Sequence, residues 1–470
     1  MFRKILIANR GEIALRVLRA CRDLRIPAVV AYSEADRDSL AVRLADEAVC
    51  VGPAAVAKSY NNIPAIVSAA LVTGCDALHP GYGFLSENAY LAEVCAQVGI
   101  VFIGPRPEVI EQMGDKARAR HLMREAGVPL LPGTEGVVQN LGDARQAAKR
   151  IGFPVVVKAV AGGGGRGMRV ARDDGQLTRL LPLAQSEAES AFGSGDVYLE
   201  RFLERPRHVE VQILADNHGH VLALGERDCS LQRRHQKVVE EAPAPRLPKK
   251  VRESLLRAAT RGAKAARYTS AGTLEFLLDT DGRFYFMETN ARIQVEHPVT
   301  EGTTSVDLVA WQIRIAAGET LTLDAKAVEP RGHAIECRVT AEDADNDFSP
   351  NVGIIDTYVA PGGPGIRVDS HLYAGYSVPP HYDSLLGKII AWGRDRDEAV
   401  ARMDRALAET VITGIAHTVP FLRSVMSDPA FRRGDVDTGF IPNFLEHRFP
   451  PEDQDELEAD LVTAGRQEPL

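Results

Sequence analysis

Two glutamates near the middle of the chain have the type and spacing expected of a metal site. Glu275 and Glu288 lie in apolar runs on either side of Asp281-Gly282, a dipeptide typical of two-residue hairpin turns. Such a turn would place the carboxylates directly opposite each other, where like charges destabilise a strand pair. A bound cation reverses that repulsion, and carboxylate oxygens suit Mg²⁺ bridging substrate phosphates. The pattern indicates a magnesium site, with two solvated surface glutamates as the alternative.

Polar residues continue at intervals of two beyond this pair. If the chain stayed extended, one face would display Glu288, Asn290, Arg292, Gln294 and Glu296. That face would combine a cation-binding end with an anion-binding arginine, an arrangement suited to phosphoryl transfer to a small anion. A solvated edge strand would also alternate, but it would more often use lysine or threonine.

A glycine-rich segment, residues 162–167, lies between two predicted strands, 155–158 and 168–170. Successive glycines let backbone N–H groups approach phosphate oxygens and let the loop move. The segment is not a P-loop, because a strand rather than a helix follows and no G-x-x-x-x-G-K-[ST] motif occurs. A flexible surface hairpin is the alternative, but the nearby cations Lys158 and Arg166 favour phosphate binding.

A third cluster, residues 226–237, is a run of charged and polar side chains. On its own such a run predicts a solvated basic loop. His79, His218 and His220 show no metal-ligand spacing and are interpreted as ordinary turn or surface residues.

The elements that must position these residues alternate between strand and helix over the first ~105 residues, which predicts an open parallel sheet covered by helices. A dinucleotide fingerprint is missing, because only Gly11 follows the first strand. Residues 106–130 read as helical. Beyond Pro330, short strands with Gly/Pro turns predict a small mixed domain, and the acidic end from Pro450 is predicted to be disordered.

Composition limits the function further. The chain has 470 residues, 45% of them apolar, and a net charge of −9, which argues against general affinity for nucleic acid or anionic membranes. No apolar run approaches the roughly 18–20 residues of a membrane span. The six cysteines show neither C-x-x-C pairing nor zinc spacing, so a reducing cytoplasm is expected.

Several stretches together resemble biotin carboxylase, a family of the ATP-grasp superfamily. They extend from residue 1 to about 445, and those of 227–245 and 292–301 are the most specific. The matching stretches are Ile7–Ala14, His79–Asn88, Met113–Lys116, Gly162–Met168, Arg207–Glu210, Glu226–Pro245, Asn290–Glu301 and Arg331–Arg338.

The resemblance implies a multidomain α/β and α+β fold. An N-terminal open parallel sheet would occupy residues 1–114, and an ATP-grasp domain residues 115–329, including a mobile glycine-rich lid at about 131–203. A mixed C-terminal domain would span 330–446, and 447–470 would be a disordered tail.

The resemblance also implies an ATP site. Lys116 and Lys158 would hold phosphates, and Glu200, Arg201 and Leu203 would sit at the adenine, with His208, Gln232 and His235 near the ribose. Two ions, magnesium or manganese, are expected on three residues: Glu275, Glu288 and Asn290. The complete expected ATP set is Lys116, Lys158, Gly163, Gly164, Gly165, Met168, Glu200, Arg201, Phe202, Leu203, His208, Gln232, His235, Glu275 and Glu288.

The chemistry so implied is carboxylation of biotin with bicarbonate. Bicarbonate would be surrounded by Lys237, Arg292, Gln294, Val295 and Glu296. Glu296 is the expected base that makes bicarbonate attack the γ-phosphate, giving carboxyphosphate and then carbon dioxide for the biotin ureido nitrogen. Arg338 would stabilise the biotin enolate, with Tyr82 and Gly83 near the biotin. The expected catalytic set is Arg292, Glu296, Lys237 and Arg338.

The family also implies partners: a biotin carboxyl carrier protein, carboxyltransferase subunits and a second copy of this chain in a homodimer. In carrier domains of the family biotin is attached within Met-Lys-Met, and none of the 11 lysines here neighbours a methionine. The carrier is therefore expected in trans. Two positions depart from the family: Arg201 replaces a common lysine, and Pro364 replaces an aromatic residue near the dimer contact.

Other interpretations remain open at this point. The chain could be another ATP-grasp ligase, such as a purine-pathway carboxylase, or a non-catalytic nucleotide-sensing subunit. The final acceptor could be acetyl-CoA, as in fatty acid synthesis, or propionyl-CoA or pyruvate.

Overall fold

The computed structural model describes residues 1–134, 136–160, 168–324 and 328–448. The predicted glycine loop with Gly163, Gly164 and Gly165 lies outside these ranges, as do residues 449–470 of the predicted disordered tail. Residues 447 and 448, which the resemblance places in that tail, instead end a helix. Within the described ranges, no helix combines the length and the apolar character needed to cross a membrane.

The N-terminal part is the predicted parallel sheet. Its strands lie in the order β3-β2-β1-β4-β5, with every neighbouring pair parallel. The short apolar strands β1 and β4 are fully buried at its centre. The elements are β1 (Ile5–Ile7), α1 (Gly11–Asp23), β2 (Ala28–Ser33), α2 (Leu40–Leu44), β3 (Glu47–Gly52), α3 (Ile63–Val72), β4 (Ala77–His79), α4 (Ala89–Gln97) and β5 (Val101–Phe102).

Loops at the carboxyl ends of β1 and β4 approach each other, as parallel strands require. The Asn9 side chain donates to the carbonyls of Pro80 and Tyr82, each at 2.7 Å. These bonds fix the turn that carries Tyr82. His79 is fully buried in β4, and burial lowers its pKa to about 3; its interpretation as a turn or surface residue is wrong.

The middle part contains a small unit and most of a large sheet. The strands β7, β6 and β8 form an antiparallel sheet, which packs against α7 and α8 with its own apolar core. The elements are α5 (Pro107–Gly114), α6 (Lys116–Glu125), α7 (Leu141–Ile151), β6 (Val155–Ala159), β7 (Arg169–Ala171), α8 (Asp174–Phe192), β8 (Val197–Arg201), β9 (Arg207–Ala215), β10 (Val221–Arg233), β11 (Gln236–Ala242), α9 (Lys249–Ala265), β12 (Ser270–Leu278), β13 (Phe284–Asn290), α10 (His297–Thr304) and α11 (Leu308–Ala316).

The C-terminal part is mixed, as predicted from its short strands and turns. Helices α12 and α13 pack on its strands around a shared apolar core. The elements are β14 (His333–Thr340), β15 (Glu342–Asp343), β16 (Ser349–Pro350), β17 (Gly353–Ile354), β18 (Thr357–Val359), β19 (Ile366–Ser370), β20 (Ser377–Val378), β21 (Leu385–Gly393), α12 (Arg396–Glu409), β22 (Val411–Thr413), α13 (Val419–Ser427), α14 (Pro429–Arg433) and α15 (Phe440–Arg448).

One antiparallel sheet crosses the composition shift near residue 330. Its order is β13-β12-β9-β10-β11-β14-β21-β19, and β11 pairs directly with β14, with Glu240 opposite Glu336. Middle and C-terminal residues are thus joined by backbone hydrogen bonds. The candidate site lies along this sheet.

The β12–β13 hairpin differs from the prediction in its turn but not in its key pair. The turn is longer than two residues, because Asp279 N donates to Arg283 O at 2.7 Å and Gly282 has a left-handed φ of +82°. A register shift next to Glu275 compensates for the change. Glu275 therefore does lie opposite Glu288, as predicted.

The predicted strand beyond Asn290 is wrong. β13 ends at Asn290, and residues 291–296 form an irregular segment that leads into α10. Pro298 lies in the first turn of α10, after this segment, a position that suits proline because no backbone donor is needed there. Ala291 N donates to Glu87 at 2.8 Å rather than to a neighbouring strand.

The cluster at 226–237 is a buried hairpin rather than a solvated loop. It forms β10 and β11, joined by a turn in which Arg234 and His235 both have positive φ, as in a type I′ turn. The Arg227 side chain is fully buried. Burial is possible because polar partners surround its guanidinium group.

Candidate active site

Lys237 on β11 forms the centre of a buried charged cluster. Burial alone would lower the pKa of its ammonium group, but the neighbouring carboxylates hold that pKa well above its usual value. Lys237 therefore stays charged in a largely water-excluded place. The carboxylates that accept hydrogen bonds from this ammonium group are those of Glu210 (2.6 Å), Glu275 (3.0 Å) and Glu296 (2.6 Å).

Arg227 binds the Glu210 oxygen that does not contact Lys237. Its guanidinium donates to Glu210 at 2.6 Å, and its other bonds go to Gln212, Thr273 and Thr300 at 2.7, 3.1 and 2.9 Å. A buried arginine with this many partners is preorganised. The Glu210 carboxylate thus presents its other oxygen to Lys237 in a fixed position.

Glu296 lies between two cations. Besides Lys237, it accepts from Arg338 at 2.9 Å, and Arg338 also donates to Glu240 at 2.6 Å. Burial would raise the pKa of Glu296, but Lys237 and Arg338 hold it well below its usual value. Glu296 is therefore ionised at neutral pH, which is the state that a general base needs.

The irregular segment 291–296 brings together the residues that the sequence predicts on one strand face. Arg292 donates to Gln294 and to Asn290, each at 3.0 Å, and to Glu87 at 3.0 Å. The Gln294 amide donates to Glu275 at 2.9 Å. The predicted set converges, but by loop geometry rather than by strand alternation.

The predicted metal pair consists of two unlike carboxylates. Burial would raise the pKa of Glu275, but Lys237 and His208 lower it below the usual value, and Asn290 donates to it at 2.8 Å. Burial and the Glu275 charge raise the pKa of Glu288. A divalent cation at Glu288 would supply the positive charge that favours its ionised form, so the residues fit a hard cation.

Side-chain donor atoms of His208, Glu210 and Glu275 also lie within 4.8 Å of one another. The ammonium group of Lys237 already contacts both of these glutamates, and it would repel a cation placed between them. This group is therefore a weaker metal site than the Glu275–Glu288 pair.

The residues expected at ATP lie beside the cluster. Lys158 pairs with the buried Glu200 at 2.6 Å, and Arg120 contacts the same carboxylate. His208 lies 3.1 Å from Glu275 and 3.0 Å from the Gln232 amide. His208 thus contacts the predicted metal pair directly, and Gln232 is connected to it through His208.

The expected adenine segment runs along β8 and just beyond it. Backbone bonds tie Arg201 N to Pro132 O at 2.8 Å and Phe202 N to Pro154 O at 2.9 Å. Leu203 packs with Leu131 and Tyr285 in a small apolar cluster, which suits the flat apolar face of a base.

Three further expected ATP residues lie in three different parts of the fold. Lys116 begins α6, and its charge acts on Glu288. Met168 directly precedes β7. His235 is exposed on the β10–β11 turn.

The expected biotin residues are linked to Glu296 through Arg338. The Tyr82 hydroxyl donates to Glu12, the charge of Arg338 acts on Tyr82, and Gly83 is exposed beside it. Arg338 thus contacts the Glu296 carboxylate and also acts on Tyr82.

Sequence reasoning missed several residues that hold the site together. Arg120, Glu87, Glu240 and Lys388 each contact an expected site residue. The contact with the largest separation in sequence, between Glu87 and Arg292, joins residues 205 positions apart. Such contacts depend on tertiary packing, so spacing within the sequence carried no signal for them.

The fold and the site together define an ATP-grasp enzyme with an N-terminal parallel sheet and a C-terminal extension of the central sheet. Family models match three consecutive ranges: "Biotin carboxylase, N-terminal domain" at 1–110, "Carbamoyl-phosphate synthase L chain, ATP binding domain" at 115–324, and "Biotin carboxylase C-terminal domain" at 336–443.

Full-length relatives agree with these matches. Biotin carboxylase of Nostoc sp. is 57% identical over 94% of this chain and 98% of its own length. A relative from Methanothermobacter thermautotrophicus, named as a subunit of pyruvate carboxylase, is 52% identical over 94% of this chain and 90% of its own length. The chain belongs to the biotin carboxylase family of enzymes.

A solved structure supports the same assignment. The biotin carboxylase domain dimer of Hydrogenobacter thermophilus 2-oxoglutarate carboxylase, in complex with MgADP, ADP and bicarbonate, has a TM-score of 0.89 and 48% identity. The match covers 95% of this chain and 98% of that chain.

Proposed function

We propose that this chain uses ATP and bicarbonate to carboxylate biotin carried on a partner protein, with release of ADP and phosphate. The observation that carries the proposal is the position of Glu296. Its ionised carboxylate lies between Lys237 and Arg338, where the expected nucleotide and metal residues meet the expected biotin residues.

In this proposal Glu296 accepts the bicarbonate proton, and Lys237 and Arg292 hold the anion beside the γ-phosphate. Gln294 and the Val295 backbone complete the anion pocket. Arg338 then faces the negative charge that develops on the biotin ureido oxygen. Preorganised cations placed where charge develops stabilise a transition state.

Lys116, Lys158 and the glycine loop would hold the nucleotide phosphates, with Glu200 to Leu203 at the adenine. Glu275, Glu288 and Asn290 would hold one or two magnesium or manganese ions. When bound, such ions neutralise phosphate charge during transfer. MgADP in the Hydrogenobacter thermophilus domain supports this part of the proposal.

The partners and the domain boundaries belong to the proposal as well. A carrier protein and carboxyltransferase subunits would use the carboxylated biotin, and two copies of this chain would form a homodimer, as the dimer of the Hydrogenobacter thermophilus domain suggests. We propose 1–114, 115–329 and 330–446 as the domains. A cytoplasmic location stays a prediction; the six free cysteines fit a reducing compartment.

The final acceptor is the finer question. Carboxylation of acetyl-CoA for fatty acid synthesis is our first choice, because relatives named biotin carboxylase reach 57% identity. A two-subunit pyruvate carboxylase is the second candidate, supported by the Methanothermobacter thermautotrophicus relative that carries that name.

ADP release by the purified chain tests the core of the proposal. We expect release with ATP, Mg²⁺ and bicarbonate to rise when free biotin is added. A purine-pathway ligase would ignore biotin, and a nucleotide-sensing subunit would release no ADP. Either result would overturn the proposed function.

A further inference from the structure

A buried lysine contacts the proposed bicarbonate site directly and the proposed biotin site through one glutamate. Lys388 on β21 is 0% exposed. Its ammonium group donates to the carbonyl of Val295 at 2.7 Å and lies 3.0 Å from Glu12. Glu12 in turn accepts a hydrogen bond from the hydroxyl of Tyr82.

This chain of contacts joins three separate parts of the fold. Val295 belongs to the irregular segment 291–296, which has no strand ladder to fix its backbone. Glu12 is in the first turn of α1, and Tyr82 follows β4. One ammonium group therefore fixes a loop carbonyl directly and a tyrosine through one carboxylate.

The environment of Lys388 keeps it charged and surrounds it with charged neighbours on both adjacent strands. Burial alone would lower its pKa, but Glu12, Glu336 and Asp369 raise it. Asp369 lies directly opposite on β19, and Arg338 lies directly opposite on β14. Lys388 is thus part of the same sheet row as the arginine that contacts Glu296.

Stability alone does not account for the pair that Lys388 forms with Glu12. A buried ion pair is often no more stabilising than apolar residues of similar volume. The pair instead defines geometry, since an ammonium group with fixed acceptors can hold two loops at one separation.

We propose that Lys388 is a positioning residue that holds the Val295 backbone and, through Glu12, the Tyr82 ring in one common geometry. The inference rests on the proposed function for the roles of these two sites. Lys388 itself touches neither substrate. It sets the distance between the bicarbonate site and the biotin site, over which the carboxyl group must pass.

The test uses the full chain with Lys388→Met and with Glu12→Gln/Lys388→Met, which removes both buried charges and protects against misfolding from an unpaired glutamate. We expect kcat/KM for bicarbonate and for free biotin to fall together by roughly 10- to 100-fold, the scale of a small misplacement. The KM for ATP should stay within about twofold. Arg396→Met is the matched control, because this partly buried cation contacts Glu241 and the backbone of 431–432.

Amide hydrogen exchange provides a second measurement that needs no turnover. In both Lys388 variants, exchange at 291–296 and at 81–84 should speed up together, and in Arg396→Met both segments should exchange as in the wild type. Unchanged kcat/KM for bicarbonate and biotin, or faster exchange in only one segment, would overturn the inference. A wild-type chain without biotin-dependent ADP release would overturn the proposed function instead, and the exchange result would still decide the positioning role.

Discussion

The ammonium nitrogen of Lys237 lies 2.6 Å from a carboxylate oxygen of Glu296, and the Glu296 side chain is fully buried. A cation and a base are thus held in direct contact before any anion arrives. Removing either one changes both the charge and the shape of the pocket.

Lys237→Ala and Arg292→Ala should each abolish most biotin-dependent ATP cleavage. Losing one electrostatic contact to the reacting anion typically costs about 2.7–4 kcal/mol of transition-state stabilisation. ADP release at saturating ATP measures the loss, with circular dichroism to confirm folding. The control is Lys249→Ala, a lysine whose side chain is 88% exposed. Wild-type rates in either variant would remove these residues from the bicarbonate site.

Glu288→Gln and Glu275→Gln should behave differently, although the sequence alone predicts that neither change lowers the stability of the metal-free protein. Glu288 has a raised pKa because of burial and the nearby Glu275 charge, so neutralising it at pH 7 should be neutral or mildly stabilising.

Glu275, by contrast, accepts from Asn290, Gln294 and Lys237, and the Gln variant should melt at a lower temperature. Both variants should need more Mg²⁺ for half-maximal ADP release. Thermal melts without metal and Mg²⁺ titrations separate the two effects. An equal loss of stability in both variants would contradict the raised pKa of Glu288, and an unchanged Mg²⁺ requirement in Glu288→Gln would contradict its assignment as a metal ligand.

Arg227→Leu should destabilise the protein by about 3–5 kcal/mol, because it leaves the buried Glu210 carboxylate without this partner. Urea unfolding at neutral pH measures this loss. Arg118→Leu is the matched control, since its ion pair with Glu111 is exposed and should contribute about 0–1 kcal/mol. Similar losses in the two variants would show that the Arg227 bonds contribute little.

Glu241 predicts a pH dependence of stability. Burial would raise its pKa, but His333 and Arg396 lower it from 4.5 to about 2. A depressed carboxyl pKa stabilises the fold above the unfolded value and loses that contribution as the pH falls towards 2, here about 3 kcal/mol. Denaturant unfolding of the wild type and Glu241→Gln should therefore show a difference that is constant above about pH 5 and shrinks below it. A difference independent of pH would be inconsistent with this shift.

The 470-residue chain should carry no covalent biotin. None of its lysines neighbours a methionine, whereas carrier domains of the family attach biotin within Met-Lys-Met. Mass spectrometry of the purified chain, with a known biotinylated protein as control, should show the unmodified mass. A biotin adduct on any lysine would contradict the expectation that the carrier acts in trans.

Local signals predicted part of the site and tertiary contacts decided the rest. The Asp281-Gly282 signal located the hairpin from a short stretch of chain, but the turn is longer than two residues. Glu275 lies opposite Glu288 because the register shift beside Glu275 compensates for the longer turn. The alternating residues after Glu288 predicted a strand that does not form beyond Asn290, since an irregular segment can also turn polar side chains towards one centre. The contact of Lys388 with Val295 joins residues 93 positions apart, and no spacing rule reports such a contact.

The shared sheet has a consequence for cutting the chain. Because β11 and β14 are hydrogen-bonded neighbours, a protease nick between them would sever the covalent link but leave the ladder intact. The two pieces should then stay associated as a nicked heterodimer and separate only when the whole sheet melts. For the same reason a fragment that begins at β14 would expose an unpaired strand edge. The boundary between the family-model ranges is therefore not a boundary between independently folding units.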